Sequence, residues 1–174
     1  MYRLRGNRVR PMSSEDIASK ALNACFALGF SGKYKYNRIP KRLDLAIEQL
    51  SEFGITLNPI DDDEWSQETF DLTIGHCDPV TLTINIPERV YLMACQGERD
   101  ALMIIFHELG HLLLQHKALL HFSAVDVDQS EDAEWQADLF AETMLERLGY
   151  QTDQLSFDFY GKALLTQGFR GEKC

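Results

Sequence analysis

The chain has 174 residues, 45% hydrophobic and 25% charged, with a net charge of −10; this composition excludes a disordered, fibrous or low-complexity polypeptide and fits one globular domain. Its longest unbroken apolar run, Ala101 to Phe106, is far too short to cross a bilayer, and the basic start from Met1 to Arg10 leads into Pro11 to Asp16 instead of an apolar signal core. Four cysteines, Cys25, Cys77, Cys95 and Cys174, stand far apart with no C-x-x-C pair, which fits neither a disulfide framework nor a zinc knuckle.

The expectation is therefore a cytoplasmic protein with free thiols and no membrane association. A single domain is expected over residues 1–174, with a basic N-terminal arm at about 1–12 and a short C-terminal tail at about 150–174. Charge is unevenly spread. Up to Arg42 there are ten Lys or Arg against two Asp or Glu, a local charge of +8; the remainder holds seven basic against 25 acidic residues, or −18. A basic segment on an acidic body signals a partner, although solvated helix faces explain it equally simply.

In chain order, a first helix is expected from Ser13 or Ser14, whose hydroxyls can cap it ahead of Glu15 and Asp16. Ile17, Ala21, Leu22, Cys25 and Leu28 recur at helical spacing before Gly29. Ser31 to Arg38 reads as a polar, basic and aromatic loop. A second helix enters at Pro40, repeats Leu43, Ile47 and Leu50, and ends at Gly54. The period then changes to two. Ile55 to Leu57, Phe70 to Ile74 and Val80 to Ile86 alternate as half-buried strands do, with His76 to Pro79 as a hairpin turn and Asp61 to Gln67 as an acidic loop. A short helix or turn around Pro87 to Cys95 precedes a long apolar-rich helix from about Glu98 to Lys117. A capped helix is expected from about Ser130 to Leu148, closed by Gly149. This order predicts an α+β fold with a small, mainly antiparallel sheet packed on the long helix.

That long helix carries His107-Glu108-Leu109-Gly110-His111. Residues i and i+4 share a helix face, so His107 and His111 can grip one ion. Zinc suits imidazole, keeps an open position in catalytic sites and activates water near neutral pH. Glu108, about 100° round the helix, is placed to act as general base and then pass the proton to a leaving amine. Gly110 keeps the helix slim beside the metal. A catalytic zinc site needs a third protein ligand. The metzincin pattern would place Gly and His where this chain has Leu114 and Lys117, so that branch is excluded. In the other large branch a second helix supplies Glu, with an acidic or amide residue four positions later that steadies a ligand imidazole. Glu134-Trp135-Gln136-Ala137-Asp138 has that form, 23 residues after His111. Glu134 is the expected third ligand and Asp138 the residue behind an imidazole. Glu131 competes for the ligand role, but its i+4 partner is Trp135, which cannot accept an imidazole proton.

These segments, His107 to Leu114 and Glu134 to Ala141, resemble the ImmA/IrrE family of bacterial and phage metallopeptidases, whose members show HELGH followed by leucines and a later E-x-x-A-N/D-x-F-A helix. The resemblance covers roughly residues 40–148. It departs at Gln115, where many relatives carry His and this chain has His116 one place later, and at Asp138, where Asn is common. It implies a zincin-like domain holding one zinc ion, and regulated cleavage of a separate helix-turn-helix repressor that releases a stress, DNA-damage or anti-phage defence operon.

Such a protease must be quiet until signalled. Cys95 is a candidate inhibitory fourth ligand, since a thiolate filling the open position would exclude water; Cys77 is the next candidate. Arg3, Arg5, Arg8 and Arg10, with Lys33, Lys35, Arg38, Lys41 and Arg42 interleaved with Tyr34 and Tyr36, are candidate contacts for single-stranded DNA as an activator. The competing functions are a nucleic-acid-responsive interaction module with a structural or degenerate zinc site, and a general peptidase without a regulatory role. His76, His121 and Tyr150 are unranked candidates for stabilising the oxyanion.

Overall fold

A computed structural model describes residues 2–30, 43–118 and 127–151. Helix α1 (Ser14–Ala27) begins at Ser13, whose hydroxyl accepts the amide of Asp16, and buries Ile17, Ala21 and Cys25. Helix α2 (Leu43–Glu48) tightens into a 3₁₀ turn over Gln49–Phe53 and stops at Gly54, whose φ of 74° suits a residue without a Cβ.

The middle of the chain departs most from the sequence expectation. Strand β1 (Thr56–Ile60) leads into helix α3 (Asp62–Thr69), which occupies the stretch expected to be an acidic loop. The Asp61 carboxylate accepts the amides of Asp63 and Glu64, and acidic residues fill the first turn, where they favour a helix N-terminus. Trp65, fully buried, anchors this helix. Phe70 to Ile74 is not a strand. Phe70 and Asp71 adopt left-handed φ values of 53° and 55° as α3 ends, and the apolar positions Phe70 and Leu72 lie 79% and 84% exposed. Strand β2 (His76–Asp78) falls instead where a hairpin turn was expected, and β3 is Thr83–Pro87.

The sheet order is β1-β3-β2, with β1 and β3 parallel over five residue pairs and β2 and β3 antiparallel over three, so the sheet is mixed and not mainly antiparallel. Leu57, Ile84 and Cys77 stand side by side in one register row, and Asn58, Asn85 and His76 in the next. Alternation sends these two rows to opposite faces. Ile84 is fully buried and marks the inner face; the Asn58 amide donates to Asn85 Oδ1 on the outer one.

Helix α4 (Glu88–Cys95) leads into α5 (Arg99–Leu113), and α6 (Ala133–Leu148) follows a capped 3₁₀ turn at Gln129–Glu131. Helix α5 is buried on all sides from Ala101 to Gly110, so its continuous apolar pattern marks the centre of the fold. It ends four residues before the expected Lys117, with Gln115 at a left-handed φ of 57°. A Cβ at Gly110 would lie 3.2 Å from Ala137 Cα and 3.3 Å from Phe140 Cβ; here α5 and α6 meet, as the slim position on the helix predicted. Among the described residues the architecture is six α-helices and a small three-stranded mixed sheet, compatible with the expected α+β class. Among the described residues no helix is long and apolar enough to cross a membrane.

Candidate metal centre

The Gly110 crossing brings the N-terminal turn of α6 beside the C-terminal half of α5. His107 Nε2 and His111 Nε2 lie 3.0 Å apart, Glu134 Oε2 is 3.2 Å from the first and Glu134 Oε1 is 3.6 Å from the second. For ligand bonds of about 2.05 Å, a tetrahedral ion places its ligand atoms about 3.3 Å from one another. These spacings are close to that value, with Glu134 approaching the two imidazoles through different oxygens. His107 is buried, His111 and Glu134 are partly exposed, and together they can hold a metal ion. Glu131 is not part of this group; it is bound to the guanidinium of Arg8 through both carboxylate oxygens.

Electrostatics express the same convergence. Burial alone would push the His107 imidazole down, but the carboxylates of Asp138, Glu134 and Glu108 outweigh it and raise its pKa to about 9. Burial pushes the Glu134 carboxyl up, and the two imidazoles reverse this and hold it well below the usual range. Without a metal the cluster thus keeps a proton that a bound cation would displace.

Each imidazole has a distinct partner behind it. His107 Nδ1 lies 2.8 Å from Asp138 Oδ1, the role expected of Asp138. His111 is backed differently: its Nδ1 is 2.7 Å from His116 Nδ1, and His116 Nε2 is 3.0 Å from Gln136 Oε1. The Gln136 amide nitrogen donates to the carbonyls of Arg10 and Ser130, at 2.9 and 2.6 Å, which leaves its oxygen to face His116. One assignment of protons satisfies the whole chain. His116 donates from Nε2 to Gln136 and accepts at Nδ1 from His111, so His111 Nε2 presents a lone pair to the metal position. Burial and the neighbouring His111 push the His116 pKa down to about 4, consistent with the neutral ring this relay requires.

His116 and Gln136 are the functional residues that sequence reasoning passed over. The signal was present: His116 stands one place beyond the position where many members of the family the motifs resemble carry His. The left-handed turn at Gln115 supplies the reversal that aims it back at His111.

Glu108 adjoins His107 but lies outside the ligand trio, 5% exposed. Its neighbours come from β2 and the turn before it. A Cβ at Gly75 would stand 3.3 Å from Glu108 Cγ, and the Cys77 thiol feels the Glu108 carboxylate. Burial first, then the Glu108 charge, pushes that thiol up to about 12.

Cys95 is not brought to this centre. It ends α4 beside Tyr91, Asp44 and Glu48, and burial with those acidic charges raises its pKa; it does not belong to the ligand group. The helix α5 that follows carries the imidazoles away from it, and the return of the intervening residues that ligation needs does not occur. Cys77 lies near Glu108 and is not part of the candidate ligand group. Among the oxyanion candidates, His76 projects from the opposite sheet face to stack on Trp65, and the Tyr150 hydroxyl donates to the carbonyl of Gly97. His121 lies outside the described residues.

The basic arm is docked against α6. Asn7, Val9 and Met12 share backbone hydrogen bonds with Ala133, Glu131 and Ser130. Arg5 is paired to Asp138 at 2.7 Å and Arg8 to Glu131 at 2.7 Å, so both guanidiniums serve internal carboxylates; Arg3, Arg5 and Arg10 are exposed. Lys33, Lys35, Arg38, Lys41 and Arg42 lie outside the described residues, as does Cys174. The chain matches no protein-family model, and comparison with curated proteins and with solved structures finds no match.

Proposed function

We propose that the protein is a zinc-dependent endopeptidase with a zincin-like domain, in which His107, His111 and Glu134 hold the ion and Glu108 is the general base. The observation that carries this reading is the pairing of a three-ligand group with a buried carboxylate beside it that is not a ligand. A structural zinc site is closed by four protein ligands and has no use for a base. Zinc bound there would supply Lewis acidity toward the scissile carbonyl and lower the pKa of water. Glu108 takes a proton from the attacking water and delivers it to the departing nitrogen. Asp138 and His116 hold the two imidazoles through Nδ1, which would leave each Nε2 for the ion. The Cys77 thiol and Gly75 wall Glu108 against bulk water.

The substrate we propose is a helix-turn-helix repressor in the cytoplasm, by the resemblance of the two motif segments to ImmA/IrrE peptidases. The test is incubation of the zinc-loaded protein with a small helix-turn-helix protein encoded beside it, alongside Glu108→Gln. New fragments from wild type alone support the reading, and an intact repressor under both sinks the substrate assignment.

A further inference from the structure

The carboxylate behind His107 is itself held. Asp138, only 5% exposed, gives Oδ1 to His107 Nδ1 at 2.8 Å and Oδ2 to Arg5 Nη1 at 2.7 Å. A carboxylate gripped at one oxygen can swivel about its last side-chain bond. Gripped at both, it has one orientation, and the imidazole it accepts from has one as well.

Arg5 is anchored independently of this contact. Its backbone amide donates to Asp132 Oδ2 at 2.8 Å, Tyr2 donates its hydroxyl to the same oxygen at 2.7 Å, and the Gly6 amide reaches Asp132 Oδ1 at 3.3 Å. Asp132 is fully buried and also caps α6 by accepting the amide of Glu134. The turn from Tyr2 to Gly6 is thereby fixed to the first turn of the helix that carries Glu134 and Asp138. The next residue lies against Glu134: a Cβ at Gly6 would fall 2.5 Å from Glu134 Cγ and 2.7 Å from its Oε1, so any larger residue there would push the Glu134 side chain aside. One short N-terminal turn thus bears on both the third ligand and the group behind the first.

From this geometry we infer that Arg5 is a positioning residue of the metal centre, acting through Asp138 on His107, with Gly6 leaving the space in which Glu134 stands. The inference rests on the metal-site reading proposed above. It also separates Arg5 from Arg8, whose ion pair with Glu131 anchors the same segment without touching Asp138.

The full-length chain is tested with zinc and with cobalt, by competition with a chromophoric chelator and by the visible spectrum of the cobalt form. Partners behind metal ligands typically contribute about ten- to a hundredfold in affinity. Arg5→Ala is expected to weaken zinc about tenfold and to shift the cobalt bands, and Arg5→Lys, which keeps a charged donor, to recover most of the loss. Arg8→Ala should leave affinity within about twofold. In an Asp138→Asn background, Arg5→Ala should add less than about twofold, because the two act in series. Equal losses from Arg5→Ala and Arg8→Ala, or no loss from Arg5→Ala, overturn the inference while leaving the metal site standing. Wild type that takes up neither metal removes the metal reading, and the inference with it.

Discussion

Nδ1 of His116 lies 2.7 Å from Nδ1 of His111, so the His111 imidazole is oriented by another imidazole and not by a carboxylate. The contact is possible because α5 ends at Leu113 and the chain reverses at Gln115. A neutral acceptor adds no charge to the site, in contrast to Asp138 behind His107.

Removing that acceptor frees the His111 ring and its tautomer. His116→Ala is expected to weaken zinc binding by about ten- to a hundredfold, with a smaller effect from Gln136→Leu, which acts one bond further out. Chelator competition measures both. Affinity unchanged in His116→Ala would show that the ring contact does not orient His111.

Gly110→Ala pits two effects against each other. Helix propensity alone favours Ala over Gly by about 1 kcal/mol. The added methyl, however, would sit 3.2 Å from the backbone Cα of Ala137, which cannot swing aside as a flexible side chain can. Overpacking of this kind costs about 1–3 kcal/mol, so a net loss of up to about 2 kcal/mol is expected in urea denaturation of the metal-free protein. Zinc affinity falls as well, since the same crossing carries Glu134 to His107.

Cys95→Ser should leave both zinc affinity and the cobalt spectrum unchanged, because that thiol lies beside Tyr91, Asp44 and Glu48. Thiolate-to-cobalt charge transfer in the near ultraviolet, lost on substitution of Cys95, would contradict this placement.

One buried and one partly buried thiol set an alkaline limit. Burial raises the pKa of Cys25 from 9.0 to about 11, and burial with the Glu108 charge raises Cys77 to about 12. In the unfolded chain both ionise near pH 9, whereas in the fold they stay protonated. Their contribution is therefore complete below about pH 9 and is lost as pH rises through the folded values of about 11 and 12. Denaturant midpoints should fall between pH 8.5 and 11 in wild type and fall less steeply in Cys25→Ala.

Much of this centre was legible in the sequence, because a helix makes neighbours of residues three and four apart. His107, Glu108 and His111 followed from one such spacing, Glu134 and Asp138 from another, and Gly110 marked where the two helices meet. The capped start of α1 was equally local, whereas α6 begins at Ala133 behind Asp132 and not near Ser130, which lies in the preceding 3₁₀ turn. What failed was non-local or ambiguous. Phe70 and Leu72 alternate like strand residues, yet their apolar side chains face solvent. The acidic run after Asp61 reads as a loop until Trp65 is seen to bury beneath it. Parallel pairing of β1 with β3 depends on a crossover that no local pattern records. His116 needed a left-handed Gln115, and the docking of Arg5 and Arg8 on α6 joins residues more than 120 positions apart.

The central claim is that Glu108 performs peptide hydrolysis beside a metal held by His107, His111 and Glu134. Its most direct test is exposure of a complex peptide library to the zinc-loaded protein, with new termini identified by mass spectrometry for wild type, Glu108→Gln and chelator-stripped wild type. Internal cleavages are expected from the zinc-loaded wild type alone, and from the stripped protein once zinc is restored. The same peptide pattern from wild type and Glu108→Gln would contradict the claim.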